Sequence, residues 1–470
     1  MSINILVNIE DTTGGDSSGS MANVPGLSAS SITVQGTGSV CLIIATVAVL
    51  PETDSTAVYQ LAVNGSATNS PQITAFADST SDEETNCPTL CWAVTGLSGA
   101  SNTFAVQWQT VTGGPSKSTS RISSLLVLEI TADAAIEYES AVATSANPGA
   151  TFTDLFSSGS ITIDGTGSVI LLFGNVQIAS GGDYSIDFQF SVDGTEEGAI
   201  TCCDGDSSNE MSGWSGIHVV TGLSAGTHTF ELAYRDRLGT PALSTSHTRT
   251  FQVIQISSGA TLKSSIISAG AYTGASSAWS DDPNLDASVT VGSAASVMLQ
   301  IANISMLGSS PDDTCAFRLE MDGAQVGADV TQFVDFADGG TRTLLAAAKT
   351  GMSSGSHDFC LGWYEIAADS HADTDRPRSQ FVIEFTGIAY HLAGVTKDKD
   401  GNTKASCICH LWKYNSGTPY WLAYALSDGS GNYDFTGLGN DDSDYYVVSF
   451  KADSPHVMDI TDHVLQPIEE

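Results

Sequence analysis

Cys407, Cys409 and His410 carry the clearest metal-ligating chemistry in this sequence. Read as a strand, however, Cys407 and Cys409 fall on one face and His410 on the other. No fourth ligand stands nearby, and tetrahedral zinc favours spacings such as C-x₂₋₄-C. A reduced pair of core cysteines is the expectation. Asp398-Lys399-Asp400-Gly401-Asn402 looks like the first half of a calcium loop. Cys407 stands where the bidentate glutamate should follow, so a hairpin turn explains the same residues. Asp78, Asp82, Glu83 and Glu84 form an acidic cluster that could attract Ca²⁺, although such clusters are commonly just solvated. His228 and His357 each share strand parity with a core aromatic two residues on. Asn102 takes the matching place earlier in the chain, so a side chain bonding to backbone at a hairpin start fits better than a base or ligand. No Ser/His/Asp order, phosphate-binding glycine loop or His-Glu-x-x-His motif occurs. Carboxylate pairs abound, but none is set apart on a recognisable cleft-forming strand. The expectation is a protein without catalytic, cofactor-binding or metal residues, and not an enzyme.

The elements that hold these residues recur. Ser31-Ile32-Thr33-Val34-Gln35-Gly36-Thr37-Gly38-Ser39-Val40 returns as Ser160-Ile161-Thr162-Ile163-Asp164-Gly165-Thr166-Gly167-Ser168-Val169, and more loosely over 288–297. Thr95-Gly96-Leu97-Ser98 returns at Thr221-Gly222-Leu223-Ser224 and Thr350-Gly351-Met352-Ser353. Each copy closes on an apolar run, 126–130, 253–256 and 382–385. A period of about 130 residues is a whole domain, not a solenoid unit of roughly 20–50 residues. The copies vary in length only near 70–92, 195–217 and 325–348, where a repeat protein places its individual contacts.

Patterning is β throughout. Phe104, Val106 and Trp108 alternate with smaller or polar residues, as do Phe230, Leu232 and Tyr234, and Phe359, Leu361 and Trp363. Asn64-Gly65, Asp193-Gly194 and Asp322-Gly323 supply turn chemistry in repeat register. The predicted fold is all-β: three tandem jelly-roll-like β-sandwiches over 1–131, 132–257 and 258–387, then a small sandwich over 388–470. Leu97, Leu223 and Met352 are expected in equivalent core places, as are Trp108, Tyr234 and Trp363.

Sixteen Lys+Arg face 53 Asp+Glu, a formal net charge of −37. Nucleic acid has the same sign and no basic patch exists to meet it. The acidity reads as solubility and mutual repulsion of surfaces. No apolar stretch reaches the roughly 20 residues of a membrane span. Residues 1–10 read as a strand rather than an export signal, so either processing precedes this sequence or release is by lysis. Nine cysteines, with no shared position among the copies, form no disulfide framework; Cys41, Cys315 and Cys360 suit cores.

Ala393–Asn402 and Ser427–Phe435, with Tyr445–Phe450 after them, resemble the transthyretin-like, carboxypeptidase-regulatory-like module, which implies a seven-stranded sandwich. With that unit in place, the chain resembles structural proteins of tailed-phage virions. The G-T-G-S-V strand starts at Gly36–Val40 and Gly165–Val169 carry this likeness, with the hairpins at Thr221–Phe230 and Thr350–Phe359. The first copy departs from it at Asn102. The resemblance implies a non-enzymatic virion component: a tail fibre, capsid decoration or tail protein, assembled in the host cytoplasm and released by lysis. It would act as rigid sandwiches in series that set a length, joining copies of itself and other virion proteins. The alternatives are a carbohydrate-binding or adhesive surface protein and an extracellular filament subunit. In the carbohydrate reading a host-surface glycan would stack on Trp214, Trp279, Trp412 or Trp421.

Overall fold

The computed structural model describes residues 3–469 except 51–54, 78–86, 100, 132, 143–148, 180–183, 206–212, 240–241, 273–277, 308–312, 335–339, 368–370, 373–376, 387–389, 398–401, 416–417, 439–443, 452–457 and 461–467. The chain is all-β, with no helix among the described residues. The acidic cluster at 78–84 and residues 398–401 of the calcium-like segment lie outside them.

The first sandwich has eight main strands: β1 (Ile3–Asp11), β2 (Ala22–Thr33), β3 (Val40–Thr46), β4 (Ser55–Val63), β5 (Gln72–Ala77), β6 (Thr89–Val94), β7 (Ser101–Thr112) and β8 (Ser123–Ile130). They pair in two antiparallel sheets, β1-β8-β3-β6 and β2-β7-β4-β5. The second repeats this with β9 (Ala134–Val142), β10 (Thr153–Ile163), β11 (Val169–Ala179), β12 (Tyr184–Val192), β13 (Thr195–Gly205), β14 (Gly213–Thr221), β15 (Gly226–Leu238) and β16 (Arg249–Ile256). The third has β17 (Ala260–Ser268), β18 (Ala287–Val291), β19 (Val297–Leu307), β20 (Asp313–Met321), β21 (Ala324–Val334), β22 (Gly340–Lys349), β23 (Gly355–Ala367) and β24 (Arg378–Phe385). Counting strands within each copy, every one reads 1-8-3-6 over 2-7-4-5. Two interleaved Greek keys in two sheets make a jelly roll.

Turn chemistry fixes these registers. Asn64, Asp193 and Asp322 have φ of 53°, 52° and 53°, and the glycine after each is also positive. Two successive positive φ values are what a tight hairpin demands. Between the sheets, Tyr59, Phe104 and Trp108 fill the first core, Phe188, Phe230 and Tyr234 the second, and Phe317 and Trp363 the third.

The expected serial arrangement is corrected here, because Ile3–Thr386 form one compact unit. Only residues 131–133 and 257–259 separate the last strand of one jelly roll from the first of the next. Three residues reach about 10 Å at most, too little to hold two sandwiches apart. The 1-8-3-6 sheets show the consequence. β3, β8, β16 and β24 are buried at every position, with the core on one face and another jelly roll on the other.

Met352 is buried, whereas Leu97 and Leu223 are half-buried at the edges of their cores. The equivalence expected at this position therefore holds only in part: Met352 joins a buried cluster with Met321 and Phe359, whereas Leu97 and Leu223 pack against the margins of their cores. Met352→Ala should destabilise by about 2–5 kcal/mol, the usual range for emptying a buried site. Leu223→Ala should lower the unfolding midpoint by less.

The last unit, Gly387–Glu470, is compact in its own right. It has β25 (Tyr390–Val395), β26 (Cys407–Asn415), β27 (Thr418–Leu426), β28 (Asn432–Leu438), β29 (Asp444–Lys451), β30 (Met458–Ile460) and β31 (Ile468–Glu469). One sheet runs β28-β25-β31 and the other β27-β26-β29-β30. Cys409, Leu411, Tyr433, Phe435 and Val447 form its core.

Candidate functional site

His228, His357 and Asn102 are each bonded into a hairpin. His228 Nδ1 lies 2.7 Å from Asp193 and its Nε2 3.0 Å from the Ser224 carbonyl. His357 repeats this with Asp322 at 2.8 Å and the Ser353 carbonyl at 2.7 Å. In the first copy, Asn102 accepts from Asn64 at 3.0 Å and donates to the Ser98 carbonyl at 3.0 Å. Each side chain ties a tight hairpin to the neighbouring strand start. The carboxylate bond, then the carbonyl bond, raises both histidine pKa values above the ordinary range.

Cys407 and Cys409 are buried thiols on one strand, and Cys409 lies in the core of the last unit. His410 takes the opposite face, beside the Trp421 ring at 6.4 Å. Among the described residues, no three His, Cys, Asp or Glu side chains gather as a metal site. Burial, then the Glu129 charge, pushes the Cys41 thiol up to about 12. Cys360 is also pushed up to about 12, by burial and then by nearby aspartates.

Of the four tryptophans that the alternative carbohydrate reading would use as sugar platforms, Trp214 is buried, stacked 4.6 Å from Phe188 and donating to Thr201 at 3.0 Å. The Arg318 guanidinium covers Trp279 at 4.3 Å. Trp412 is half-buried and Trp421 is exposed.

The site that organises this molecule is the seam between its jelly rolls. Strand alignment makes Cys91 and Ile217 equivalent, and Asn175 and Asn303 equivalent. The Cys91 N–H donates to Asn175 Oδ1 at 3.1 Å, and Asn175 Nδ2 donates to the Cys91 carbonyl at 2.7 Å. One jelly roll on, the Ile217 N–H donates to Asn303 Oδ1 at 3.3 Å, and Asn303 Nδ2 to the Ile217 carbonyl at 2.8 Å. A side-chain amide has one acceptor and two donors, so it can mimic the peptide of an absent strand. Gln252 does the same for Ala93, with both bonds at 2.8 Å. Each contact caps the open edge of β6 or β14, the kind of edge that invites unwanted pairing.

The third jelly roll closes on the first. The Asp329 N–H donates to the Ile122 carbonyl at 3.1 Å, and the Ile122 N–H returns to the Asp329 carboxylate. Gln72 and Thr248 make the equivalent exchange between the first and second copies. Gly327 N–H donates to Glu10 at 2.7 Å. The apolar core of the third copy runs on into Ala48 and Cys87 of the first. First to second, second to third and third to first: the contacts close a ring. Thr89, Ser215 and Leu344 are equivalent positions, and they meet one another. Ser215 Oγ donates to the Thr89 carbonyl, and Thr89 Oγ1 to the Leu344 carbonyl at 2.7 Å. Equivalent residues touch only near a symmetry axis, so a quasi-three-fold axis passes close to them.

His218 belongs to the second seam, where its ring meets Phe381 of the third copy edge-on at 5.4 Å. Burial pushes its pKa down to about 4. An unfolded histidine titrates near about 6.5. The neutral seam is therefore complete above about 6.5 and weakens as pH falls toward 4, by on the order of 3 kcal/mol. Unfolding midpoints between pH 7 and 4 should fall less steeply in His218→Phe than in the native protein.

No protein-family model matches the chain, and neither does any curated protein. Among solved structures it is similar to the infectious bursal disease virus VP2 subviral particle, at 9% identity over 82% of each chain with a TM-score of 0.20. It is also similar to the CBM22-1-CBM22-2 tandem domain of Paenibacillus barcinonensis Xyn10C, at 10% identity over 47% of this chain and 79% of that one, TM-score 0.15. A protein of Parabacteroides distasonis overlaps at 9% identity, covering 54% of this chain and 89% of its own, TM-score 0.14. Overlaps this low carry no argument about function.

Proposed function

We propose that the chain is a non-enzymatic structural component of a tailed-phage virion, a decoration, fibre or tail protein that acts by docking and self-assembly. The observation that supports this best is the ring of three jelly rolls with edges capped from within. Such a body is built for rigidity, and its covered edges leave association to other surfaces. Jelly rolls serve capsids and lectins alike, so the fold alone does not choose between them. The ring favours a compact docking body over a spacer in series. The last unit, read as transthyretin-like from its two small sheets and its turn sequences, would be a separate attachment module.

Exposed Trp421 favours the adhesive reading as the alternative. Finding the protein in purified virions, as a three-lobed density at a regular station, would support the virion reading. Recovery only as free monomer from lysates would overturn it. Copies carrying −37 repel one another. Salt shortens that repulsion to about 8–10 Å at physiological strength. Self-association measured by sedimentation should therefore strengthen as salt is added, and an assembly that dissolves in salt would count against the reading.

A further inference from the structure

The seam strands of the ring are covered, but one strand of the last unit is not. β27 ends the order β27-β26-β29-β30, so among the described residues one of its edges has no neighbour. Its nine residues, TPYWLAYAL, include no charge, in a chain of net −37. Natural edge strands are normally guarded by charges, brevity or cover. Pro419 is the position lacking an N–H, and it stands next to the strand start, where proline is tolerated.

A bulge decides which side chains flank that edge. Leu411 pairs with Ala423 and Trp412 with Trp421, which leaves Leu422 as an extra residue. An extra residue reverses the alternation of faces. Trp421 thereby joins Tyr424 and Leu426 on the face opposite Ala425, which packs on the core. Trp421, Tyr424 and Leu426 are 49%, 64% and 64% exposed.

We propose that β27 is the surface through which two copies of this chain join, by antiparallel pairing of the strand with itself about a two-fold axis. The proposal rests on the self-assembly reading above and names its surface. An open edge offers a row of main-chain donors and acceptors that another strand matches. A two-fold pairing needs only this one patch on each copy. Charge selects the partner. A basic protein would settle on the acidic surfaces, whereas an uncharged strand is where two copies of −37 can touch without opposing carboxylates. Pairing centred between Leu422 and Ala423 sets Trp421 of one copy opposite Tyr424 of the other, twice over. Aromatic cross-strand pairs of this kind are favourable.

The test is sedimentation velocity of the full chain as native protein, Tyr424→Lys and the milder Tyr424→Ser, with circular dichroism to verify folding. Lysine on an exposed position leaves the core alone but sets two cations near the two-fold axis. Its dimer should be weaker by about tenfold or more, with Tyr424→Ser intermediate. Native self-association that both folded variants retain unchanged overturns the proposal and leaves the assembly reading standing. A native chain that stays monomeric at every salt concentration overturns both. Binding of a glycan that Tyr424→Lys abolishes, with self-association unaffected, assigns the face to sugar and also overturns the proposal.

Discussion

Asn303→Asp should open the seam between the second and third jelly rolls. Asn303 is buried, and its amide serves both the N–H and the carbonyl of Ile217 while also donating to Ser379 at 2.9 Å. A carboxylate differs by one atom yet can only accept. The Ile217 carbonyl would lose its donor, and a charge would be stranded inside the seam. An unpaired buried charge destabilises by about 3–5 kcal/mol. Thermal unfolding should register that loss, and hydrogen exchange at the Ile217 amide should accelerate. Acidification should restore part of the stability, since a protonated carboxyl regains one donor. Asn175→Asp should act alike at the first seam. If either variant unfolds like the native protein, the amides are not what holds the edges of β6 and β14.

The second large effect is expected at Arg378, whose side chain is fully buried with that of Asp282. Its Nε donates to the Asp282 carboxylate and Nη1 to the Gly270 carbonyl at 2.7 Å. Asp282 also receives the Asn284 N–H at 3.0 Å. Removing one partner of such a pair leaves the other charge uncompensated, a loss of about 3–5 kcal/mol. Arg378→Met should therefore be severe. The double variant Arg378→Met with Asp282→Ala should be less destabilised than the two single losses combined, because no charge is then left unpaired. Arg249 holds the equivalent place in the second copy and Ser123 in the first, so the ion pair is an individual solution within a shared frame. Additive losses in a double-mutant cycle would show that the two residues act independently.

Much of the fold was legible because it is local. Period-two alternation around Phe104, Phe230 and Phe359 marks strands, and Asn64-Gly65 and its two counterparts mark hairpins. The bonds of His228 and His357 to hairpin backbone were readable too, since Asn102 in the matching place is a poor base but a good hydrogen-bonding tie. The seam had a signal that local reading passes over. Asn175 and Gln177 sit as alternate amides inside the apolar run of β11, and Asn303 does so in β19. A buried polar face on a strand needs partners, and here the backbone of the next jelly roll supplies two of them to each asparagine. Val40–Thr46 is apolar on both faces, the mark of a strand covered on both sides. With linkers of three residues, these features point to packing between copies.

The sequence by itself determined the all-β class, the three-fold repetition and the turns, because alternation and backbone preference act over a few residues. Only the tertiary structure decided that the copies close into a ring. Closure depends on which amides of one jelly roll meet the open edge of the next. It also decided that Trp214 is core while Tyr424 faces solvent. Both are aromatic residues on strands: Trp214 stacks on Phe188 in the core of its jelly roll, whereas Tyr424 lies on the exposed face to which the bulge at Leu422 also turns Trp421.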